Sequence, residues 1–340
     1  MNLNTRYWIR RSANVFSKTA LTLSYHRVTE TEVDPWELSV SPKNFEEQLQ
    51  VLQKFRLLSF EKFALQQRAK NISPNSICIT FDDGYGDNFL TAKPLLERYD
   101  CPATFFIATG YTNQQENFWW DELDAIFLLR QRLPEQLTVA VRGKQFQFDF
   151  TEARELTPAQ LQQHRNWIYP KEPPTKRCQI YLAVWAMITP LSYEEKTNVM
   201  QLIKVWAGYQ PNHLPENLPM NETQLQSLAT HPLIKLGLHT VTHCDLSTAS
   251  AQQQYAEISD CQETLAKNYG VLATTLAYPY GHYNAETLAI ADKLKLDAAV
   301  TMKGKAITKK TDPYQMGRFH VKNWSGEKFE RVLAEWIKIY

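Results

Sequence analysis

Charge of one sign is missing from this chain: 37 basic against 36 acidic residues leave a formal net charge of +1 over 340 residues. That balance gives no reason to expect nucleic acid or an anionic membrane as a partner. Cysteine is sparse. Cys78, Cys101, Cys178, Cys244 and Cys261 are odd in number and scattered, without a Cys-x-x-Cys pair, which argues against a disulfide framework and fits a reducing compartment. Long apolar runs are missing too, since no window approaches the roughly 18–20 apolar residues of a membrane span. Residues 1–24 carry Arg6, Arg10, Arg11 and Lys18 but no unbroken apolar stretch of signal-peptide length, so the expected location is the cytoplasm. There is no internal repeat and no low-complexity tract; Gln252-Gln253-Gln254 is too short to count.

What the chain does have is chemistry placed at the ends of apolar segments. Thr80-Phe81-Asp82-Asp83-Gly84 closes the run Ile77–Phe81, which reads as a buried strand, with two adjacent carboxylates. His239-Thr240-Val241-Thr242-His243 follows the apolar segment Leu233–Leu238 with two imidazoles four residues apart. One carboxylate and two neutral imidazoles suit a borderline divalent ion with open positions for water and substrate. The second carboxylate is then free to act as a base, and the combination points to a metal-dependent hydrolase. Each half alone is weak: Asp-Asp-Gly after a strand is commonly a turn, and a His-x-x-x-His pair is more often incidental than ligating.

A third element sharpens the reading. Ala277-Tyr278-Pro279-Tyr280-Gly281 ends another apolar stretch, and with it the chain resembles the polysaccharide deacetylases, the NodB-homology carbohydrate esterases. The resemblance covers roughly residues 20–111 and 222–325, with the three motifs in the family's order. It implies a distorted (β/α) barrel that removes N-acetyl groups from an amino-sugar glycan or glycoconjugate, using Zn2+ or a similar divalent ion and a metal-bound water as nucleophile. It also implies Asp83, His239 and His243 as metal ligands, Asp82 as general base, and the Tyr280 backbone N–H as oxyanion donor. Cys244, beside His243, is read as filler.

Two departures stand out. Many members have an arginine that braces the catalytic aspartate, where this chain has Ala277. The late histidine motif that supplies the general acid is also missing. Some branches are circularly permuted and place that histidine in an N-terminal Tyr-His segment, which Tyr25-His26-Arg27-Val28 matches. His26 is therefore preferred over His320, whose neighbours Arg318 and Lys322 suggest a solvated segment outside the site. The family's aspartate that tunes this histidine is not identifiable, and His164, His213 and His231 are given no role. Rival readings are an O-acetyl esterase using the same residues and a catalytically silent glycan-binding protein of the same fold. Aromatic residues, at 12%, fill a core or in part line a sugar cleft. The oligomeric state is not legible.

Strand-like and helix-like segments alternate through most of the chain, the pattern of a parallel α/β domain. Ser41-Pro42 starts a helix with Phe45, Leu49, Leu52 and Phe55 on its apolar face, and Pro94 kinks or restarts a helix over 87–99. Ser247 or Ser250 caps a helix with Tyr255, Ile258, Leu265 and Tyr269 inward, closed by Gly270; Leu272–Ala277 reads as the next strand. Residues 112–221 break the rhythm with a hairpin around Gly143 and several helices. The expected organisation is a deacetylase barrel of residues 1–111 and 222–340, interrupted by a 112–221 insertion that forms a subdomain, a lid or helices packed outside the barrel.

Overall fold

A computed structural model describes residues 20–212 and 214–339. The N-terminal basic segment up to residue 19 and His213 lie outside the described residues. The chain divides into two compact units. One comprises residues up to Thr29, Ser39–Thr112 and Met220 onward; the other comprises Glu30–Leu38 and Asn113–Pro219.

The strands, in chain order, are β1 (Ala20–Tyr25), β2 (Arg27–Val28), β3 (Ser39–Val40), β4 (Arg56–Leu58), β5 (Ser76–Phe81), β6 (Ala103–Ile107), β7 (Gln136–Val141) and β8 (Lys144–Asp149). They are followed by β9 (Ile234–Leu238), β10 (Thr275–Ala277), β11 (Ala298–Val300) and β12 (Phe319–His320). Eight of them build one sheet in the first unit, ordered β11-β10-β9-β6-β5-β1-β12, with β4 beside the start of β5. Every pairing in it is parallel. β1, β5 and β6 are buried at every position, which explains their near-continuous apolar sequences: a parallel sheet covered on both faces has no polar side. The sheet's two ends are brought together by the segment after β11, where Val300 bridges Met316 in parallel and Arg318 N–H donates to Lys303 O at 3.0 Å. The result is the distorted (β/α) barrel that the sequence predicts.

The helices of this unit begin where side-chain oxygens can take up orphan N–H groups. Ser41 accepts from Asn44 N–H ahead of Pro42–Leu52, Ser250 caps Ala251–Tyr269, and Asn284 caps Ala285–Lys293. Pro94 sits in the first turn of Lys93–Arg98, which follows one wider π-helical turn over Asn88–Ala92. Two expectations need correction. Tyr255 faces outward, its ring under the Lys293 ammonium at 4.7 Å, and the buried face is instead Ile258, Cys261, Leu265 and Tyr269. The strand before the third motif begins at Thr275, because Leu272 is 81% exposed and outside the sheet.

The second unit has its own core. Helix Trp119–Asp124 runs into a π-helical turn over Ala125–Leu129, and helices Pro158–Asn166, Lys176–Ile188 and Tyr193–Ala207 follow the β7–β8 hairpin. The hairpin turns on Arg142 and Gly143, both at positive φ (49° and 75°), the geometry that matches strand twist. Leu137, Val139 and Val141 point inward. Residues 30–38, which the sequence reading left in the barrel, belong here: Trp36 stacks against Trp185 at 4.4 Å and donates to the Tyr181 hydroxyl at 2.7 Å. Arg177 is buried, and its guanidinium donates to the carbonyls of Ala153 (2.7 Å), Arg154 (2.6 Å), Gln131 (3.3 Å) and Arg130. His164 bridges Leu128 O and the Thr175 hydroxyl inside the same core. All five cysteines are free thiols.

Candidate active site

Five of the residues that the sequence points to lie within three residues of strand ends in one sheet. His26 follows β1, Asp82 and Asp83 follow β5, His239 follows β9, and Tyr280 lies three residues past β10. Parallel strands deliver their C-terminal ends to one rim, so residues distant in sequence meet there.

Asp83, His239 and His243 converge, all buried, with one donor atom from each within 4.8 Å of the others. Asp83 Oδ1 stands 3.3 Å from Nε2 of both histidines, yet this buried oxygen makes no hydrogen bond among the described residues. The His239 tautomer explains why. Its Nδ1 lies 2.8 Å from Ala277 O; a carbonyl accepts, so Nδ1 carries a proton, and in the neutral imidazole Nε2 presents a lone pair. A lone pair facing a carboxylate oxygen repels it unless positive charge sits between them. The donor set therefore fits a divalent cation, and two imidazoles with one carboxylate favour Zn2+ or a similar borderline ion. Among the described residues no fourth acidic, imidazole or thiol group joins this cluster, Cys244 included.

Asp82 points to different partners. The buried Arg318 guanidinium grips it as a fork, Nη1 to Oδ1 at 2.7 Å and Nη2 to Oδ2 at 2.6 Å, and reaches Thr80 Oγ1 and Thr301 O at 3.2 Å. Burial would raise the Asp82 pKa, but Arg318, His239 and His26 together hold it well below the carboxylate range. Arg318 thus keeps Asp82 ionised and fixes its two oxygens in place. The brace that Ala277 lacks is supplied from the residue just before β12, a correction to the sequence reading. Arg318 carries no local signal for this role: it is 236 residues from its partner.

His26 Nε2 lies 3.9 Å from Asp82 Oδ2. Burial lowers its pKa, and the Arg318 charge lowers it further against the pull of Asp83 and Asp82. His320, expected outside the site, is instead its neighbour, with ring centroids 5.6 Å apart. β12 pairs in parallel with β1, placing His320 opposite Ser24 and at the same rim as His26. The flanking arginine that suggested solvent is buried because Asp82 neutralises it. His231 is far from this chemistry in role, bonded to Glu97.

Tyr280 sits at φ +58°, and its buried hydroxyl has no hydrogen-bond partner among the described residues. Burial keeps that hydroxyl protonated, and its ring lies 4.7 Å from the His243 ring. Pro279 fixes the backbone before it. Gly281 must be glycine: at φ +71° any Cβ would stand 2.6 Å from Met302 N. Asp83, Thr240 and His243 also have left-handed backbones, at φ 72°, 64° and 52°.

A polysaccharide deacetylase family model matches residues 69–139 and 199–299, just over half of the chain. The matched stretches contain Asp82, Asp83, His239, His243 and Tyr280 and leave out His26 and Arg318. The poly-beta-1,6-N-acetyl-D-glucosamine N-deacetylase of Staphylococcus aureus (strain MRSA252) is 22% identical over 332 residues, which span 94% of this chain and 83% of that protein. YxkH of Bacillus subtilis (strain 168), a protein named for the same family, is 31% identical over 111 residues, which span 32% of this chain and 39% of YxkH. Among solved structures, the Streptococcus pyogenes deacetylase PplD in complex with acetate superposes with a TM-score of 0.53 at 20% identity, covering 92% of this chain and 97% of PplD. That likeness is one of fold. With three motifs in order on such a fold and the family model matched over this length, the chain belongs to the polysaccharide deacetylase family.

Proposed function

We propose that this protein is a metal-dependent hydrolase that removes N-acetyl groups from an amino-sugar glycan. The observation that carries the reading is the division of labour between neighbouring carboxylates: Asp83 faces two imidazole nitrogens, while Asp82 is held ionised by Arg318. The name of the Staphylococcus aureus relative supports an N-acetylglucosamine polymer as substrate class.

Asp83, His239 and His243 would hold the ion. When bound, a divalent cation lowers the pKa of water and polarises a carbonyl oxygen. Asp82 takes the proton of the attacking water as general base, its oxygens already aimed by the Arg318 fork. The Tyr280 backbone N–H donates to the oxyanion of the tetrahedral intermediate, pre-aimed by Pro279. His26, with Nε2 near Asp82, gives its proton to the leaving amine. A depressed pKa makes it the stronger donor in its protonated form.

The test is acetate release from a panel of N- and O-acetylated saccharides, with and without chelator. N-acetylglucosamine oligomers are expected to lose acetate, chelator to stop the reaction, and Zn2+ to restore it. His239→Ala is expected to abolish both metal uptake and turnover. Full activity after chelation would overturn the reading, and acetate release from O-acetyl substrates alone would return the protein to the esterases.

A further inference from the structure

A general acid must be aimed, and beyond the Asp82 carboxylate at 3.9 Å and the His320 ring, no hydrogen bond aims His26 from the far side of its ring. Its Nδ1 is buried and has no hydrogen-bond partner among the described residues, so no carboxylate among them fixes the tautomer or orientation from the far side. The chain also leaves the sheet at this residue, between the end of β1 at Tyr25 and the start of β2 at Arg27. A side chain at such a break points wherever its backbone is set.

The backbone around it is set by two adjacent side chains. Asn88 Nδ2 donates to His26 O at 2.8 Å. Asp87 accepts from Val28 N–H at 3.0 Å through Oδ1 and from Arg27 Nε at 2.9 Å through Oδ2. Asn88 also donates to Asp87 Oδ1 at 2.8 Å, joining the two into one clamp. Asp87 and Asn88 are fully buried, Arg27 is 4% exposed, and the Arg27 guanidinium lies 4.4 Å from the Tyr85 ring. Charge-assisted bonds this deeply buried are strong and intolerant of loss. The clamp sits on the turn that follows Asp82 and Asp83, so one segment, residues 82–88, carries the base, a metal ligand and the support of the acid.

We infer that Asp87 and Asn88 are positioning residues for His26, acting through its backbone in place of a carboxylate on its ring; the inference rests on His26 being the general acid. Asn88 holds the carbonyl of His26 itself, and Asp87 holds the two residues after it. Losing the clamp lets the imidazole swing while leaving Asp82 and the ligand cluster gripped by their own partners.

The experiment compares kcat on an N-acetylglucosamine oligomer with kcat on an activated aryl acetate, whose leaving group needs no proton. Asn88→Ala and Asp87→Asn are each expected to lower the amide rate at least tenfold more than the ester rate, with metal content retained. The Asn88→Ala effect is expected to vanish in a His26→Ala background, since a residue acting through His26 has nothing left to act on. An equal fall on both substrates, or an undiminished Asn88→Ala effect without His26, would overturn the clamp and leave Asp87 and Asn88 as ordinary core. If His26→Ala itself spared the amide reaction, His26 would not be the acid and the inference would fall with that assignment. Asp87→Asn keeps the side-chain shape, so a folding failure of Asn88→Ala still leaves a variant that decides.

Discussion

Among the described residues the barrel unit buries Arg27 and Arg318 and the second unit buries Arg177, and Arg318 and Arg177 are put to opposite uses. Arg318, in the barrel, meets a carboxylate in a two-bond fork. Arg177, in the second unit, meets only backbone carbonyls, tying Arg130 and Gln131 to Ala153 and Arg154. The charge of Arg318 is cancelled locally and in return keeps Asp82 ionised. The charge of Arg177 has no buried counter-ion in its fork, and burial drags its pKa down to about 10. A guanidinium can thus serve as electrostatic tuning or as a five-donor staple. What distinguishes the two is the partner, not the arginine.

The comparison is broken most forcefully at Arg318. Arg318→Met is expected to cut kcat by on the order of 10²–10⁴ while metal content stays near one ion per chain, because the base loses its charge and its aim together. Metal loss on the same scale would show that Arg318 supports the ligands rather than the base. Asp82→Asn is expected to match that loss in kcat with metal retained, whereas Asp83→Asn loses metal first. Equal metal loss in both would show that the two carboxylates share one role. Arg177→Met is expected to destabilise the second unit by about 3 kcal/mol, the cost of leaving several buried carbonyls unmet, with kcat per folded molecule unchanged. Denaturant melts paired with active-site titration separate these outcomes, and a fall in kcat without unfolding would erase the contrast between the arginines.

The smallest effect concerns a buried carboxylate of the second unit that lacks a fork. Burial lifts Glu122 to about 7, although the Lys204 ammonium stands 3.2 Å away and is shared with Glu116. Its folded value lies above the unfolded value of about 4.3, so the folded state binds a proton that the unfolded state releases between these limits. Stability from this group is full below about pH 4.3 and is lost as pH rises through about 7. Glu122→Gln is expected to flatten melting temperature against pH over that window, an effect on the order of 1 kcal/mol. An unchanged slope would place the titration elsewhere.

The parts of the site that sequence made legible are those whose partners lie within a few residues. Asp82 and Asp83 are adjacent, His239 and His243 are four apart, and Pro279 precedes Tyr280; strand ends do the rest, because a fully apolar run announces a buried parallel strand. Arg318 was invisible for the converse reason. As one of two charged residues around His320, with Lys322, it reads as solvent-facing until a carboxylate 236 positions away is folded onto it. His320 was misplaced with it, since the two-residue strand β12 is too short to show any periodicity. Residues 30–38 were left in the barrel because no composition shift marks where a chain visits another core for nine residues. Tyr255 falls at a helical spacing that marks a buried face, but it lies outside that face with the Lys293 ammonium over its ring.

The left-handed backbones at Asp83, Thr240, His243 and Tyr280 bear on what selection can do with this protein. A non-glycine residue held there costs on the order of 1 kcal/mol, and glycine or asparagine would relieve it. Some of the cheapest stabilising changes therefore fall on the proposed ligands Asp83 and His243, on Thr240 between the two histidines, and on Tyr280, while others, such as Arg142, lie outside the site. A library screened for heat resistance alone would enrich robust but inert variants at these four positions, so any campaign for a hardier catalyst has to score turnover in every round.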